Sequence, residues 1–263
     1  MYTLKELFEK LDAFAPLEYS HKLIEKGDYD NSGILIKSTE NANKILFALD
    51  LTENAVKKAK RLGCDTIVTH HPAIYAPLSC VDATDLTTSA VALALNYKLN
   101  VISMHLNLDV AKGGIDQSLA LALGAKEFEI LDPLCDGIGY GRLFEISAVC
   151  LKDYVKHVKN VLNTDKVIVY GNKNGKISRV ASFCGGGSSY SESQVKKGIA
   201  PDVVVTSDMP HHVLKYLIEK EISVILITHY ASENYGFKKF YEYISNTLNG
   251  QTEAYYYDDE RFN

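Results

Sequence analysis

Six of the eight histidines fall into four short patches of the sequence, and each patch follows a segment that reads as a β-strand. Open α/β sheets place their ligand-binding groups at the carboxyl ends of strands. Four patches at such positions therefore indicate a functional site more strongly than any single histidine would. The clustered histidines are His70 and His71, His105, His211 and His212, and His229.

Two carboxylates lie close to these histidines in the sequence. In the motif HLNLD, His105, Asn107 and Asp109 alternate, and an extended backbone would direct all three side chains to one side. His229 and Glu233 are four residues apart and share one face if a helix begins near His229. Imidazole combined with carboxylate suits zinc, iron, manganese, cobalt or nickel, whereas calcium and magnesium prefer oxygen ligands. The pattern therefore predicts a binding site for zinc, iron, manganese, cobalt or nickel.

The number of candidate ligands points to two ions rather than one. Five candidate ligands are more than one tetrahedral ion with an open coordination position needs. They suit two ions about 3.5–4 Å apart, bridged by one carboxylate, as in two-metal hydrolytic sites. Taken singly, a histidine is as well explained by a hydrogen-bonded core position, and a His–Glu pair by a solvated helix face. Their joint occurrence at strand ends favours metal binding. The candidate ligands are His70, His71, Asp109, His229 and Glu233.

Three further motifs carry weaker signals. Asp208 and His212, in SDMPHH, are either additional site groups or a helix cap with a flanking histidine. The run CGGGSS, residues 184–189, either forms a backbone nest for an anion or makes a tight turn. It lacks the spacing and the lysine of a phosphate-binding loop, and GIGYG at 137–141 is no dinucleotide-binding fingerprint. The sequence also lacks the GxSxG and HExxH motifs.

Alternating helix and strand patterns predict an α/β fold with parallel strands. The clearest helix has Thr52 as its N-cap and Gly63 as its terminator. The glycine-rich segment 134–143 is interpreted as a bend, and QTEAYYYDD near the C-terminus as a final edge strand or a contact surface. The predicted helices are 3–14, 52–63, 86–98, 113–124, 151–164, 211–221 and 232–248, and the predicted strands are 44–51, 65–69, 100–105, 144–150, 166–171, 179–183, 202–206 and 223–228.

A faint internal repeat divides the chain into two halves. DTIVT followed by HHP recurs as DVVVT followed by SDM, and NVISMH recurs as SVILITH. We place a soft boundary near residue 130, with no flexible linker between the halves. The first half, 1–130, carries HHP and HxNxD, and the second, 131–263, carries GGGSS, SDMPHH and HYASE.

Composition narrows the class of protein. The chain has 263 residues, of which 46% are hydrophobic and 23% charged, and a formal net charge of −5, which disfavours nucleic-acid binding. No apolar run is long enough to span a membrane, and the amphipathic N-terminus lacks a signal-peptide core, so we expect a cytoplasmic protein. The five cysteines are scattered without a CxxC pair, which argues against disulfides and against a cysteine zinc site.

Seven motifs in order along the chain resemble the NIF-three-like family, whose members are also called GTP cyclohydrolase I type 2 homologues or dinuclear-metal-centre proteins. The resemblance implies two interleaved, pseudo-repeated α/β domains with the metal site at their interface, and hexameric rings whose sites face an internal chamber. It implies the same five ligands, with Glu233 as a candidate bridge. It also implies that His105 supports a ligand or contacts substrate nearby, and that Asp208 and His212 line the cavity. The motifs are YDNSG, ALDLT, VTHHP, HLNLDVAKGG, CGGGSS, TSDMPHH and THYASE.

Two functions remain open at this point. The first is a metal-dependent hydrolase that acts on a nucleotide-like or phosphoester substrate, with two divalent ions per chain and with His105 or His212 transferring protons. The second is a non-enzymatic metal store, metal chaperone or interaction ring, which needs the ligands but no substrate pocket. The GTP cyclohydrolase activity is implied by the resemblance alone, since no motif identifies a purine pocket. Direct DNA binding is disfavoured by the acidic charge.

Overall fold

Helices and strands alternate along most of the chain, which confirms the predicted α/β class. The computed structural model describes residues 2–248, 250 and 252–263. The helices are α1 Leu4–Phe14, α2 Leu17–Glu25, α3 Glu53–Leu62, α4 Ser89–Asn96, α5 Leu106–Val110, α6 Ile115–Ala122, α7 Leu151–Leu162, α8 Ser188–Lys196, α9 His211–Glu219 and α10 His229–Thr247. The strands are β1 Tyr2–Thr3, β2 Gly33–Ile36, β3 Asn41–Ala42, β4 Lys44–Ala48, β5 Thr66–Thr69, β6 Asn100–Ser103, β7 Glu129–Cys135, β8 Ile138–Cys150, β9 Ile168–Tyr170, β10 Lys176–Ser182, β11 Val203–Thr206, β12 Ser223–Leu226 and β13 Glu253–Tyr257.

The chain forms two compact units that interleave along the sequence. The first unit comprises Met1–Ala111 and Phe237–Asp259, and the second comprises Lys112–Gly236 and Glu260–Asn263. The boundary predicted from the sequence lies near residue 130, about twenty residues after the end of the first segment of unit one. The prediction also assigned all C-terminal residues to the second half, whereas Phe237–Asp259 belongs to the first unit. The motifs HHP and HxNxD lie in the first unit, and GGGSS, SDMPHH and HYASE lie in the second.

The first unit contains a five-stranded sheet in the order β13-β4-β5-β6-β2. Its first four strands run parallel, and β2 is antiparallel to β6. Helix α3 shows why the local sequence folds this way. Thr52 accepts a hydrogen bond from the Ala55 N–H as N-cap, and Gly63 ends the helix with φ of 72°. The buried face of α3, which includes Val56 and Ala59, packs into the core beside the sheet.

The second unit contains a six-stranded sheet in the order β7-β8-β10-β11-β12-β9. Strands β10, β11 and β12 are parallel, and the other pairings are antiparallel. The predicted repeat has a structural counterpart, because β5 and β6 are parallel neighbours in one sheet and β11 and β12 in the other. In both units a histidine follows the second strand of the pair, His105 after β6 and His229 after β12. Within the described residues, no helix is long and apolar enough to cross a membrane.

The predicted bend at 134–143 is wrong. Strands β7 and β8 form a hairpin there, and only Asp136 and Gly137 turn between them. The glycines inside β8 serve close packing rather than a turn. A Cβ on Gly139 would lie 2.4 Å from the Asp132 carbonyl oxygen, and one on Gly141 would lie 2.4 Å from the ring of Phe183. Glycine is therefore required at both positions, because neighbouring atoms of the folded unit leave no space for a side chain.

Three segments in the second half of the chain correct their predictions or make them more precise. The last helix begins at His229 rather than at residue 232, so it includes HYASE from its first residue. Within QTEAYYYDD, Glu253–Tyr257 forms the edge strand β13, which pairs in parallel with β4. The GGGSS segment makes a turn over 185–187, and its two serines open helix α8.

Candidate metal centre

His70 and His71 follow directly after β5, whose last residue is Thr69. The backbone N–H groups of both histidines donate to the Leu49 carbonyl, at 3.1 and 3.0 Å, which holds the end of the strand against β4. The His70 ring is fully buried, and its Nδ1 lies 2.8 Å from the Met104 carbonyl oxygen. A carbonyl only accepts hydrogen bonds, so Nδ1 carries the proton and Nε2 carries the lone pair. That tautomer is the one a histidine needs to bind a metal through Nε2.

The carboxylate of Asp50 accepts a hydrogen bond from Nδ1 of His71, as the Met104 carbonyl does from Nδ1 of His70. The Nδ1 of His71 lies 2.7 Å from Asp50 Oδ1, so the imidazole donates to the carboxylate and its orientation is fixed. Asp50 stands two residues beyond the end of β4, in the ALDLT segment. Hydrogen bonding of a histidine to a carboxylate is the usual support for a metal-binding imidazole.

The extended backbone predicted for HLNLD is wrong, because the residues after His105 form the short helix α5. The Asp109 N–H donates to the His105 carbonyl oxygen at 3.0 Å. His105 is the N-cap of this helix and Asp109 lies one turn later, so the pattern still brings the aspartate to the histidines, by a different geometry. Asp109 Oδ1 lies 3.5 Å from His70 Nε2, and both side chains are buried. Ligand atoms of one tetrahedral zinc ion lie about 3.4 Å apart, so this pair has the separation of two ligands.

Three imidazoles converge in the first unit. His70, His71 and His105 each offer one ring nitrogen, and these atoms lie within 4.8 Å of one another. The His105 Nδ1 lies 2.7 Å from Oδ1 of Asp30, whose side chain is fully buried. Burial alone raises the pKa of Asp30, but the hydrogen bonds from His105 and from neighbouring serines outweigh it and hold the pKa below its usual value. Asp30 is therefore an ionised acceptor, and His105 keeps its proton on Nδ1.

In the second unit, His229 is the first residue of helix α10 and Glu233 lies one turn later. Their atoms Nε2 and Oε1 are 3.0 Å apart, and the Glu233 side chain is almost completely buried. The Nδ1 of His229 contacts Oδ2 of Asp208. Asp208 has a positive φ of 45°, a backbone conformation that costs free energy outside glycine. The strain places this carboxylate beside His229, so a third histidine has an acidic partner at Nδ1.

The first glycine of GGGSS lies against this pair. The Gly185 N–H donates to Ser232 Oγ at 2.9 Å, and the Ser207 hydroxyl donates to the Gly185 carbonyl. A Cβ at Gly185 would stand 2.3 Å from Glu233 Oε1 and 3.3 Å from His229 Nε2. Only glycine leaves room for the glutamate there, so the turn serves as one wall of the His229–Glu233 pair.

The structure brings some of the predicted site residues together and leaves others apart. His70, His71, His105 and Asp109 come together in the first unit, and His229 and Glu233 in the second. His212 is exposed at the start of α9, and no candidate metal cluster among the described residues includes it. Two aspartates that contact Nδ1 of histidines in the first unit were not predicted from the sequence. They lie in two motifs that contributed to the family resemblance but had no assigned role. These partners are Asp30 in YDNSG and Asp50 in ALDLT.

The donor set fits a divalent metal. Neutral imidazoles and carboxylates are the ligands that zinc, iron, manganese, cobalt and nickel take, and no thiolate is needed. Four histidines have Nδ1 held by an oxygen acceptor, which leaves Nε2 available to bind a metal or to accept a proton. These histidines are His70, His71, His105 and His229.

Comparison with known proteins gives consistent matches over most of the chain. A Clostridium perfringens protein named GTP cyclohydrolase 1 type 2 homolog is 27% identical over 254 residues, which cover 95% of this chain and 94% of the relative. The NGG1-interacting factor 3 of Saccharomyces cerevisiae is 29% identical, covering 88% of this chain and 86% of the yeast protein. The crystal structure of Staphylococcus aureus protein SA1388 superposes with a TM-score of 0.85 at 24% identity, covering 99% of this chain and 98% of that one. The family model Duf34/NIF3 (NGG1p interacting factor 3) matches residues 2–260, and this chain belongs to that family.

Proposed function

We propose that this protein binds two divalent metal ions per chain and is a metal-dependent hydrolase for a nucleotide-like or phosphoester substrate. The observation that carries the proposal is the set of imidazoles whose Nδ1 atoms are held by oxygen acceptors beside a buried aspartate. A purely structural core has no need of one buried and three partly buried histidines with a common tautomer. The ligands would come from both units of the chain: His70, His71, Asp109, His229 and Glu233.

When bound, divalent ions polarise a carbonyl or phosphoryl group and make water a stronger acid at neutral pH. The chain's own residues supply orientation and proton transfer. Asp50 and Asp208 fix the orientation of the imidazoles they contact. Asp30 holds His105 with the proton on Nδ1, so His105 Nε2 accepts a proton and the adjacent carboxylate stabilises the resulting imidazolium. His105 is thus the proposed general base, and a proton-transfer role for His212 stays a prediction from the sequence.

The names of the relatives supply two further hypotheses. The Clostridium protein's name refers to a GTP cyclohydrolase, so GTP belongs among the substrates to test. The yeast protein's name refers to interaction with NGG1, which favours the second candidate function, a metal-binding interaction protein without turnover. Assembly into a hexameric ring stays a prediction from the family resemblance and is open to direct measurement of mass in solution.

Metal analysis tests the binding part of the proposal. Protein purified without chelator and without a nickel column is compared with His70→Ala/His71→Ala, with His229→Ala/Glu233→Ala and with the control His21→Ala, whose histidine is exposed outside both clusters. We expect about two ions per chain in the wild type and the control, and loss of ions in both double variants. Absence of metal from the folded wild type, or full metal content in either double variant, would refute shared binding by these five residues.

Turnover tests the enzymatic part. Metal-loaded protein is incubated with GTP, cyclic nucleotides and phosphoesters, beside the His70→Ala/His71→Ala variant and a His105→Asn variant. We expect turnover in the wild type, none in the metal-free double variant, and reduced kcat with full metal content in His105→Asn. Turnover that persists in the metal-free double variant contradicts the hydrolase mechanism, and weakly bound, readily exchanged metal with no turnover on any substrate favours the interaction protein.

A further inference from the structure

Two tyrosines beside the histidine cluster of the first unit remain unusually exposed. Tyr29 and Tyr75 keep 49% and 52% of their surface accessible. Their rings contact each other with centroids 4.8 Å apart and planes tilted by 58°. At this tilt the rings do not stack face to face, so each leaves much of its π surface uncovered. Exposed aromatic faces that are held together are suited to receive a flat unsaturated group.

The pair adjoins the proposed general base. The ring of Tyr75 lies edge-on to His105, with centroids 6.5 Å apart and planes 80° apart. The imidazole of His105 in turn contacts both His70 and His71, with ring centroids 5.2 and 5.7 Å away. A ligand resting on Tyr75 is therefore a few ångströms from the cluster proposed to bind metal.

Both tyrosines are anchored by their neighbours in the chain. Asp30, next to Tyr29, is buried and bonded to His105. The Asn31 side-chain amide donates to the Ile74 carbonyl at 2.5 Å, which ties the segment of Tyr29 to the segment of Tyr75. The backbone on both sides of the pair is thus fixed, so the two rings form a preorganised surface that loses little conformational entropy when a ligand binds.

We propose that Tyr29 and Tyr75 bind a planar heteroaromatic ring of the substrate, and so select ring-bearing substrates over ring-free phosphoesters at the His70–His71–His105 cluster. The inference rests on the proposed function and narrows its substrate class. An aromatic ring offers no positive charge to a phosphate group, so the paired rings favour the base of a substrate over its phosphate. Stacking on aromatic side chains favours flat bases of any sequence or substitution, because every base presents a π face.

Binding of a matched pair of probes tests the inference. Guanosine 5′-monophosphate and ribose 5-phosphate share the sugar and the phosphate, and only the first has a base. Free guanosine shows whether the base alone suffices without the phosphate. Dissociation constants are measured calorimetrically for the wild type, Tyr29→Ala, Tyr75→Ala and the conservative variants Tyr29→Phe and Tyr75→Phe. Tyr243→Ala serves as the control, because Tyr243 is also 52% exposed but contacts Phe14.

We expect the nucleotide to bind more tightly than ribose 5-phosphate, and each alanine variant to weaken nucleotide binding about tenfold, in line with the loss of one stacking partner. The phenylalanine variants and Tyr243→Ala should bind as the wild type does, and ribose 5-phosphate should be insensitive to all of them. Equal binding of the two sugar phosphates, or alanine variants with wild-type affinity for the nucleotide, would overturn the inference.

Each titration is repeated after chelation, with metal content measured in parallel. A tyrosine effect in wild-type protein that was purified without chelator and still carries no metal supports ring binding while the metal proposal fails. Full metal content without any tyrosine effect leaves the metal proposal standing and overturns ring binding. The two failures are therefore distinguishable.

Discussion

Replacing Gly185 with alanine tests how closely the glycine turn follows the His229–Glu233 pair. The new Cβ would lie 2.3 Å from Glu233 Oε1, a distance that real Cβ atoms do not reach, so the carboxylate must move by roughly 1 Å. The φ of 53° adds a cost of about 1–2 kcal/mol for a residue with a Cβ. That cost exceeds the roughly 0.4–1 kcal/mol that alanine contributes by restricting the unfolded chain.

The expected result is a variant that is less stable than the wild type by about 1 kcal/mol without metal, and whose metal affinity is reduced at least about tenfold because a ligand is misplaced. Urea unfolding of the metal-free protein gives the first quantity, and metal titration against a competing chelator gives the second. Gly186→Ala is the matched control, because nothing lies within 4 Å of its Cβ and its φ is not positive. If Gly185→Ala binds metal as tightly as Gly186→Ala does, Glu233 is not a ligand or the turn does not shape its position.

Three further outcomes follow from single contacts. Asp50→Ala should weaken metal binding by about 10–100-fold, whereas Asp50→Asn should lose less metal affinity because it keeps a hydrogen-bond acceptor for His71. An equal loss in both variants would contradict the role of Asp50 in orienting His71. Burial raises the pKa of Asp202, but backbone N–H groups of β10 lower it below its usual value, so its stabilisation is present above about pH 4 and lost as the pH falls further. The stability difference between wild type and Asp202→Asn should therefore shrink in thermal melts below pH 4, and a constant difference would be inconsistent with this account. Burial raises the pKa of the Cys64 thiol to about 12, so iodoacetamide at pH 8 should label exposed Cys80 and spare Cys64 in the folded protein, as read by mass spectrometry of peptides.

Local signals in the sequence were sufficient for elements whose ends are set by their own residues. Helix α3 is an example, since Thr52 and Gly63 cap it through bonds within the helix and its flanks. The hairpin of β7 and β8 could not be recognised in this way. Gly139 and Gly141 resemble turn residues in the sequence, and the reason for them is a carbonyl and an aromatic ring that only the folded unit brings close.

The same distinction separates the predicted site residues from those that were missed. Histidines at strand ends are visible because residue type and strand pattern coincide in a few positions. Asp30 is 75 residues from His105, and Asp50 is 21 residues from His71, so neither pairing leaves a local trace. An isolated aspartate after a strand is common, and hydrogen bonding to a particular imidazole becomes apparent only in three dimensions.

Strand β13 has a consequence for how the chain folds during synthesis. It pairs with β4 from Glu253 opposite Lys44 to Tyr257 opposite Ala48, across some two hundred intervening residues. Lys112–Gly236, nearly the whole of the second unit, emerges from the ribosome before that strand does. The edge of β4 is therefore exposed during most of translation, in a state prone to pair with other chains. Nascent chains of this protein should depend on ribosome-associated chaperones until residue 257 has emerged, and premature termination before β13 should yield aggregates rather than a soluble first unit.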